Sequence, residues 1–175
     1  MTPLSKKTHF ITHLGLYLAL AVLLPIGFHA FGLGGRLFLP MHIPVLLAGF
    51  LMGPLAGVIV GLIAPSVSFL LTGMPPTYAV PLMSLELPLY GLTAGLFYYR
   101  MKMNIYLSLI IAMIVGRIAF GIGLLVLGLF IELPYTALFF FSAAGPIVTG
   151  LPGIAVQIII IPLLVASISR YYKRA

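Results

Sequence analysis

The chain has 175 residues, of which 62% are hydrophobic and only 6% are charged, and its mean hydropathy is +1.26. A soluble domain of this length needs far more charge on its surface, so the composition excludes that class and predicts an integral membrane protein. The net charge of +7 does not indicate nucleic-acid binding here, because the basic residues lie at the ends of apolar runs, where they act as topology signals and headgroup contacts. The absence of cysteine excludes disulfides and thiolate metal sites.

Six apolar segments have a length that suits membrane-spanning helices. They are 9–29, 38–52, 55–73, 78–99, 104–127 and 145–169. The second is short and starts at 39-LPMHIPVLLAGFLMG-53, so we expect it to tilt or to begin with an irregular turn. The segment 131–144 is long and aromatic, and we expect it to lie on the bilayer surface or to fold over the helices. The chain 1–175 is therefore predicted to be one all-α domain, a six-transmembrane-helix bundle.

The basic residues predict the orientation of this bundle. With six spans both termini share one side of the membrane, and most of the Lys and Arg residues fall on that side: Lys6, Lys7, Arg100, Lys102, Arg170, Lys173 and Arg174. Arg36 falls on the other side and Arg117 lies within a span. The positive-inside rule then places both termini in the cytoplasm and makes the chain a multi-pass protein of the cell membrane.

Two ionisable residues are predicted to lie at membrane depth. Glu86 follows the outer start of the fourth span by about 12 Å, and Arg117 lies about 20 Å above the inner start of the fifth. In a hydrocarbon core about 30 Å thick, both fall in the outer half. Because charged groups in hydrocarbon need a partner or a water-filled cavity, and because consecutive spans are neighbours, we expect Glu86 and Arg117 to be close.

Three interpretations of this pair remain. It could be a structural ion pair that fixes the packing of two helices, a part of an outward-facing binding cavity, or a proton relay. We favour the binding cavity, because charged residues at this depth usually mark a site or a pathway. A relay normally uses a chain of carboxylates and histidines, and here only one carboxylate lies within a span.

Other polar residues are predicted to converge on the same outer chamber. His42 begins the second span, Ser68 lies in the outer half of the third, Tyr90 lies one turn from Glu86, and Gln157 lies near the middle of the sixth. Each also has a purely structural interpretation: a histidine at a helix end, a serine bonded to its own helix, a packed ring, and an amide that joins helices.

Small residues recur at intervals of four on several spans. Gly53, Gly57 and Gly61 form one such stripe, and Gly15 and Ala19 form a short one on the first span. Stripes of this kind let helices approach closely in lipid. We expect the first stripe to pack inside the monomer and the second to pack there or against another membrane protein.

The usual catalytic and nucleotide-binding motifs are absent. The sequence contains no G-x-x-x-x-G-K-[ST], no H-E-x-x-H and no G-x-S-x-G, so no ATP site, zinc site or nucleophile elbow is predicted. We expect a protein that is not an enzyme and that carries neither cofactor nor metal.

Four stretches resemble one family of membrane proteins. They are 39-LPMHIPVLLAGFLMGPLAGVIVGLIAPSVSFLLTGMPP-76, 86-ELPLYGLTAGLFY-98, 116-GRIAFG-121 and 151-LPGIAVQIIIIP-162. They are similar to the substrate-binding S components of energy-coupling factor (ECF) vitamin transporters, especially the group that includes pantothenate-type members. The family pattern often has an arginine near Ser68, and this chain has none there, so the resemblance does not define the ligand.

The resemblance implies a six-helix, non-enzymatic subunit of an ABC-type importer that binds a micronutrient from outside. It implies a membrane coupling subunit and two cytoplasmic ATPases as partners, and ATP is bound by those ATPases. It implies that Glu86, Arg117 and Gln157, which match polar positions of the family pattern, contact the ligand. Together with the polar residues of the outer chamber and Arg36, a candidate carboxylate partner, the predicted substrate-binding residues are Glu86, Arg117, Gln157, His42, Tyr90, Ser68 and Arg36. It also implies that Gly15 and Ala19 dock on the coupling subunit while the whole body reorients.

Several ligands and more than one mode of transport remain possible on the sequence alone. Pantothenate is the lead, and a cobalamin-type compound, a thiamine-precursor pyrimidine, folate and a queuosine precursor remain open. An autonomous proton-coupled secondary transporter that uses Glu86 is the main alternative function. The small size of the chain and the lack of an inverted repeat count against it, and a membrane-embedded enzyme with Glu86 as base ranks third.

Overall fold

The computed structural model describes residues 3–30, 35–143 and 145–174, with side chains described for 7–30, 37–143 and 145–170. The regular secondary structure of these residues is helical throughout. In chain order the helices are α1 (Pro3–Ala30), α2 (Gly35–Phe38), α3 (His42–Met52), α4 (Pro54–Thr72), α5 (Ala79–Ala94, continued by a π-helix at Gly95–Arg100), α6 (Ile105–Leu127), α7 (Ala137–Phe140), α8 (Pro146–Thr149) and α9 (Leu151–Arg174).

Five of the described helical segments are long and apolar enough to cross a bilayer. They are Lys7–Ala30, Pro54–Thr72, Ala79–Arg100, Ile105–Leu127 and Leu151–Arg170. The prediction of an all-α integral membrane bundle is therefore confirmed. The count of six spans and the cytoplasmic placement of both termini stay predictions.

The second predicted span is short and begins with an irregular turn, as expected. It consists of the short α2, a turn, and α3, which has 11 residues and is therefore about 16 Å long, roughly half of a bilayer core. The break falls at Leu39, whose φ is +50°, and at Pro40. Proline lacks a backbone N–H and disfavours helical geometry in the residue before it, so the helix cannot run through this point.

Helix α3 forms the centre of the bundle. It packs against α1, α4, α5 and α9, and eight of its residues are buried: His42, Pro44, Val45, Leu46, Leu47, Ala48, Gly49 and Phe50. Because the helix is short and surrounded, its first residue lies in the interior rather than at a lipid headgroup. The irregular start of α3 therefore brings His42 into the protein core.

The glycine stripe on α4 sets the distance between α4 and α5. A Cβ atom at Gly57 would lie 2.6 Å from the Cα of Gly91, and one at Gly61 would lie 2.5 Å from the carbonyl carbon of Leu87. Backbones that meet this closely leave no room for a side chain, as is typical of helix contacts in lipid. The expected packing of this stripe inside the monomer is confirmed for Gly57 and Gly61.

The segment between α6 and α9 folds back over the bundle. Thr136 caps α7 by accepting a hydrogen bond from the Phe139 N–H at 3.2 Å, and Phe140 is only 1% exposed. Its ring stacks on Phe120 with the ring centroids 4.7 Å apart. The neighbouring Leu129 and Phe130 stay 81% and 78% exposed, so part of the segment covers the helices and part remains open to its surroundings.

Candidate functional site

Glu86 and Arg117 form an ion pair between α5 and α6. The Glu86 Oε1 atom lies 3.0 Å from Arg117 Nη1, and the two side chains are 2% and 12% exposed. The expected contact is therefore confirmed. It arises because α5 and α6 are consecutive helices that pack along much of their length, so residues at equal depth face one another.

His42 adds a third ionisable group to this pair. Its Nε2 atom lies 3.7 Å from Glu86 Oε2, and the histidine side chain is 3% exposed. The imidazole also meets the ring of Tyr90 edge-on, with the centroids 5.0 Å apart and the planes at 89°. Tyr90 reaches this position because Gly116 on α6 leaves space for its ring.

Several polar atoms of this cluster are buried without a hydrogen-bond partner among the described residues. They are both ring nitrogens of His42 and the Nε and Nη2 of Arg117. A buried donor or acceptor without a partner costs about 1–3 kcal/mol, and native proteins contain few of them. The cluster therefore concentrates several unsatisfied polar atoms in one place among the described residues.

A cavity of about 790 Å³ lies beside the cluster. Its volume falls in the usual range of small-molecule pockets, which is about 300–1,000 Å³. Its walls come from α1, the segment from α2 to the start of α3, the helices α4, α5 and α6, and the segment around α7 and α8. They are mostly apolar and aromatic: Pro25, His29, Leu37, Leu39, Pro40, Met41, His42, Ser68, Met74, Pro75, Pro76, Tyr78, Ala79, Met83, Glu86, Arg117, Phe120, Tyr135, Phe139, Phe140, Pro146 and Thr149.

The cavity combines one polar end with an apolar body. His42, Glu86 and Arg117 line it together with Ser68, which is 1% exposed. Phe140 closes over the guanidinium of Arg117, with 5.9 Å between its ring centroid and Cζ. This arrangement suits a ligand that has a compact polar group at one end and an apolar or weakly polar remainder.

The remaining predicted site residues stand apart from the cavity wall. Tyr90 and Gln157 are each 1% exposed and do not line it. The Gln157 Nε2 donates a 3.5 Å hydrogen bond to the Leu39 carbonyl, across 118 residues of chain, and so supports the turn before α3. The side chain of Arg36 lies outside the described residues. Ligand contact by these three residues stays a prediction.

Sequence reasoning missed the aromatic wall of the cavity. Phe120, Tyr135 and Phe140 line it, but each was hidden in an apolar run whose lipid-facing and cavity-facing members look alike. The run 139-FFF-141 was the available signal, because three consecutive phenylalanines outside a span need an apolar surface to cover.

The comparison with protein families identifies the family of the chain. A family model for the substrate-specific component of ECF transporters matches residues 9–165. This chain belongs to that family. No curated protein and no solved structure matches it.

As an ECF S component, the chain is a multi-pass cell-membrane subunit of an importer, and its family is a transporter family rather than an enzyme family. The family implies a small-molecule substrate and a membrane-bound ECF module in which ATPases use the ATP. Among the described residues no group of three or more His, Asp or Glu side chains could hold a metal ion.

Proposed function

We propose that this S component binds a vitamin or related micronutrient with high affinity from the outside of the cell, with pantothenate as the lead ligand. One observation carries the proposal: a drug-sized cavity ends at a buried Glu86–Arg117 pair whose remaining polar atoms have no partner among the described residues. The guanidinium group of Arg117, which lines the cavity, suits a carboxylate, which pantothenate possesses.

The volume of the cavity also discriminates between the candidate ligands. Its volume of about 790 Å³ suits a ligand of ordinary drug size and counts against the much larger cobalamin-type compounds. Folate, a thiamine-precursor pyrimidine and a queuosine precursor remain alternatives to pantothenate. Native mass spectrometry of gently purified protein tests this ranking, because a tightly bound micronutrient co-purifies with the protein and is detected by its mass. Absence of any bound small molecule, together with no binding from a vitamin panel, would contradict the proposal.

Delivery of the ligand requires movement of the whole subunit against the coupling subunit. The small pair on α1 supports this part of the proposal. Gly15 and Ala19 are both exposed, and a Cβ atom at Gly15 would meet nothing within 4 Å. In lipid, an open strip of small residues allows another helix to approach closely, so we assign this strip to the coupling subunit.

Replacing Gly15 with leucine is expected to separate binding from transport. The new side chain has room in the monomer, so ligand binding should keep its wild-type affinity, whereas uptake by cells that contain the ECF module should fall by about tenfold or more because the helix contact is blocked. Ser66→Leu, on an exposed position of α4, is the matched control and should leave uptake unchanged. Normal uptake by Gly15→Leu would remove the docking assignment.

The alternative of an autonomous transporter makes the opposite prediction for isolated protein. We expect proteoliposomes that contain only this chain to bind ligand without accumulating it. Accumulation driven by a pH gradient alone would favour the secondary transporter that uses Glu86.

A further inference from the structure

One wall of the cavity is a turn rather than a helix. It comprises residues 39–42, which we call the wall turn, and all four of them line the cavity. The His42 N–H closes this turn by donating a 3.1 Å hydrogen bond to the Leu39 carbonyl. Leu39 has a φ of +50°, and a residue other than glycine keeps such a conformation only where its surroundings hold it there. The wall turn therefore needs support from another part of the protein.

Helix α9 supplies that support. The Gln157 Nε2 donates to the Leu39 carbonyl at 3.5 Å, so this oxygen accepts hydrogen bonds from both the wall turn and α9. One turn earlier on α9, a Cβ atom added to Gly153 would lie 2.6 Å from the Leu37 carbonyl oxygen and 2.7 Å from the Phe38 carbonyl carbon. Because residues four apart share one face of a helix, Gly153 and Gln157 form a single contact surface for this segment.

Helix α9 contributes no wall of its own to the cavity. Among the described residues that line the cavity, none belongs to α9. Gln157 is 1% exposed, and Ile161 and Val165, further along the helix, are fully buried in the main hydrophobic core. The helix is thus anchored in the core, and its amide side chain contacts the cavity wall without lining the cavity.

The wall turn connects this support to the polar end of the cavity. It ends at His42, whose Nε2 lies 3.7 Å from Glu86 Oε2 and whose ring meets Tyr90 edge-on. A displacement of the Leu39 carbonyl would therefore move both the apolar wall and the imidazole beside Glu86. An ordered wall lowers the entropy cost of binding, because it does not have to be immobilised when the ligand arrives.

We propose that Gln157 and Gly153 are positioning residues of the ligand site. They hold the wall turn against α9, and Gln157 acts on the ligand through the Leu39 carbonyl rather than by touching it. This inference rests on the proposed function, because the wall matters for transport only if the cavity holds the ligand. It gives Gln157 a role that differs from the direct contact implied by the family resemblance.

Amide hydrogen exchange of the full-length, ligand-free protein tests the positioning role. Gln157→Met keeps an unbranched side chain of similar length but removes the hydrogen-bond donor. We expect the exchange rate of peptides that contain the wall turn to rise about two- to tenfold, the factor that corresponds to the loss of one hydrogen bond. Peptides from α6 should exchange as in the wild type, because local opening is confined to the segment that lost its support. Mass spectrometry of proteolytic fragments measures the rates.

Ile159→Met is the matched control for this measurement. It places the same side chain on a 62% exposed position of α9 and should leave exchange unchanged in all peptides. Unchanged exchange at the wall turn in Gln157→Met would overturn the proposal, since a residue that only touched the ligand would have no effect in its absence. An equal rise in all peptides would also overturn it, because that result indicates a general loss of stability.

Calorimetry with pantothenate as the probe tests the consequence for binding. The Kd should rise about two- to tenfold for Gln157→Met and at least as much for Gly153→Ala, whose methyl group pushes the preceding segment away from α9. The double variant should lose less affinity than the product of the two single factors, because both changes act through the wall turn. A loss equal to that product would overturn the shared route. If Gly153→Ala does not yield a monodisperse protein, the exchange and the affinity of Gln157→Met decide the proposal.

The exchange measurement separates this inference from the proposed function, because it needs no ligand. If Gln157→Met loosens the wall turn while the wild type binds neither pantothenate nor another vitamin of the panel, the proposed function fails and the positioning of the turn stands. If the wild type binds pantothenate and Gln157→Met changes neither exchange nor affinity, the positioning role is overturned and the proposed function stands.

Discussion

Replacing Arg117 with alanine is expected to abolish measurable ligand binding. The variant loses the guanidinium group at the polar end of the cavity and also leaves Glu86, which is 1% exposed, as an unpaired buried charge. Truncating one partner of a buried charge pair typically costs 2–5 kcal/mol of binding free energy, which corresponds to a rise in Kd of about 30- to 5,000-fold. Calorimetric titration with the co-purified ligand or with pantothenate measures the change.

The double variant Glu86→Gln with Arg117→Met controls for folding. It removes both charges and therefore avoids the unpaired buried carboxylate, whose penalty alone can destabilise a protein by about 3–5 kcal/mol. We expect this variant to insert in the membrane and to elute as a monodisperse protein, yet to bind no ligand. Wild-type affinity in either variant would show that the ion pair only joins α5 to α6.

Replacing Gly57 with alanine is expected to cause a large loss of stability for the addition of a single methyl group. The added Cβ would lie 2.6 Å from the Cα of Gly91, and neither backbone can move aside without separating α4 from α5. Overpacking of this kind costs about 1–3 kcal/mol and occasionally more, and we expect a value near 3 kcal/mol. Reversible unfolding in mixed detergent micelles, followed by far-UV circular dichroism, measures the free energy of unfolding.

Gly15→Ala is the matched control for this prediction. It makes the same chemical change on an exposed helix position where a Cβ would meet nothing within 4 Å, so it should leave stability unchanged or raise it by up to about 1 kcal/mol. Equal stability of the two alanine variants would show that the close approach of Gly57 and Gly91 does not limit the packing of α4 on α5.

Helix positions could be predicted from the sequence where the signal is local. The predicted start of the fifth span at 104 agrees with α6, because Asn104 caps this helix by accepting hydrogen bonds from the N–H groups of Tyr106 at 2.8 Å and Leu107 at 3.4 Å. The joint at Gly53 also follows from local chemistry, since its φ of +100° suits glycine and few other residues.

The second and last predicted spans could not be placed as well. Pro40 and Gly150 each interrupt an apolar run, and single interruptions of this kind are tolerated in some membrane helices and end others. The outcome depends on the neighbours that satisfy the freed backbone groups, such as the Gln157 amide that donates to the Leu39 carbonyl. Such long-range partners leave no periodic signal.

The sequence by itself determined that this is a helical membrane protein with one acid and one base at similar depth on consecutive spans. Hydropathy and helical rise are properties of a single segment, so they need no knowledge of the neighbours. Only the tertiary structure decided that His42 reaches Glu86 and that these residues and Arg117 line one cavity. These features depend on how each helix is rotated and where α3 begins, and both are set by close packing among several helices at once.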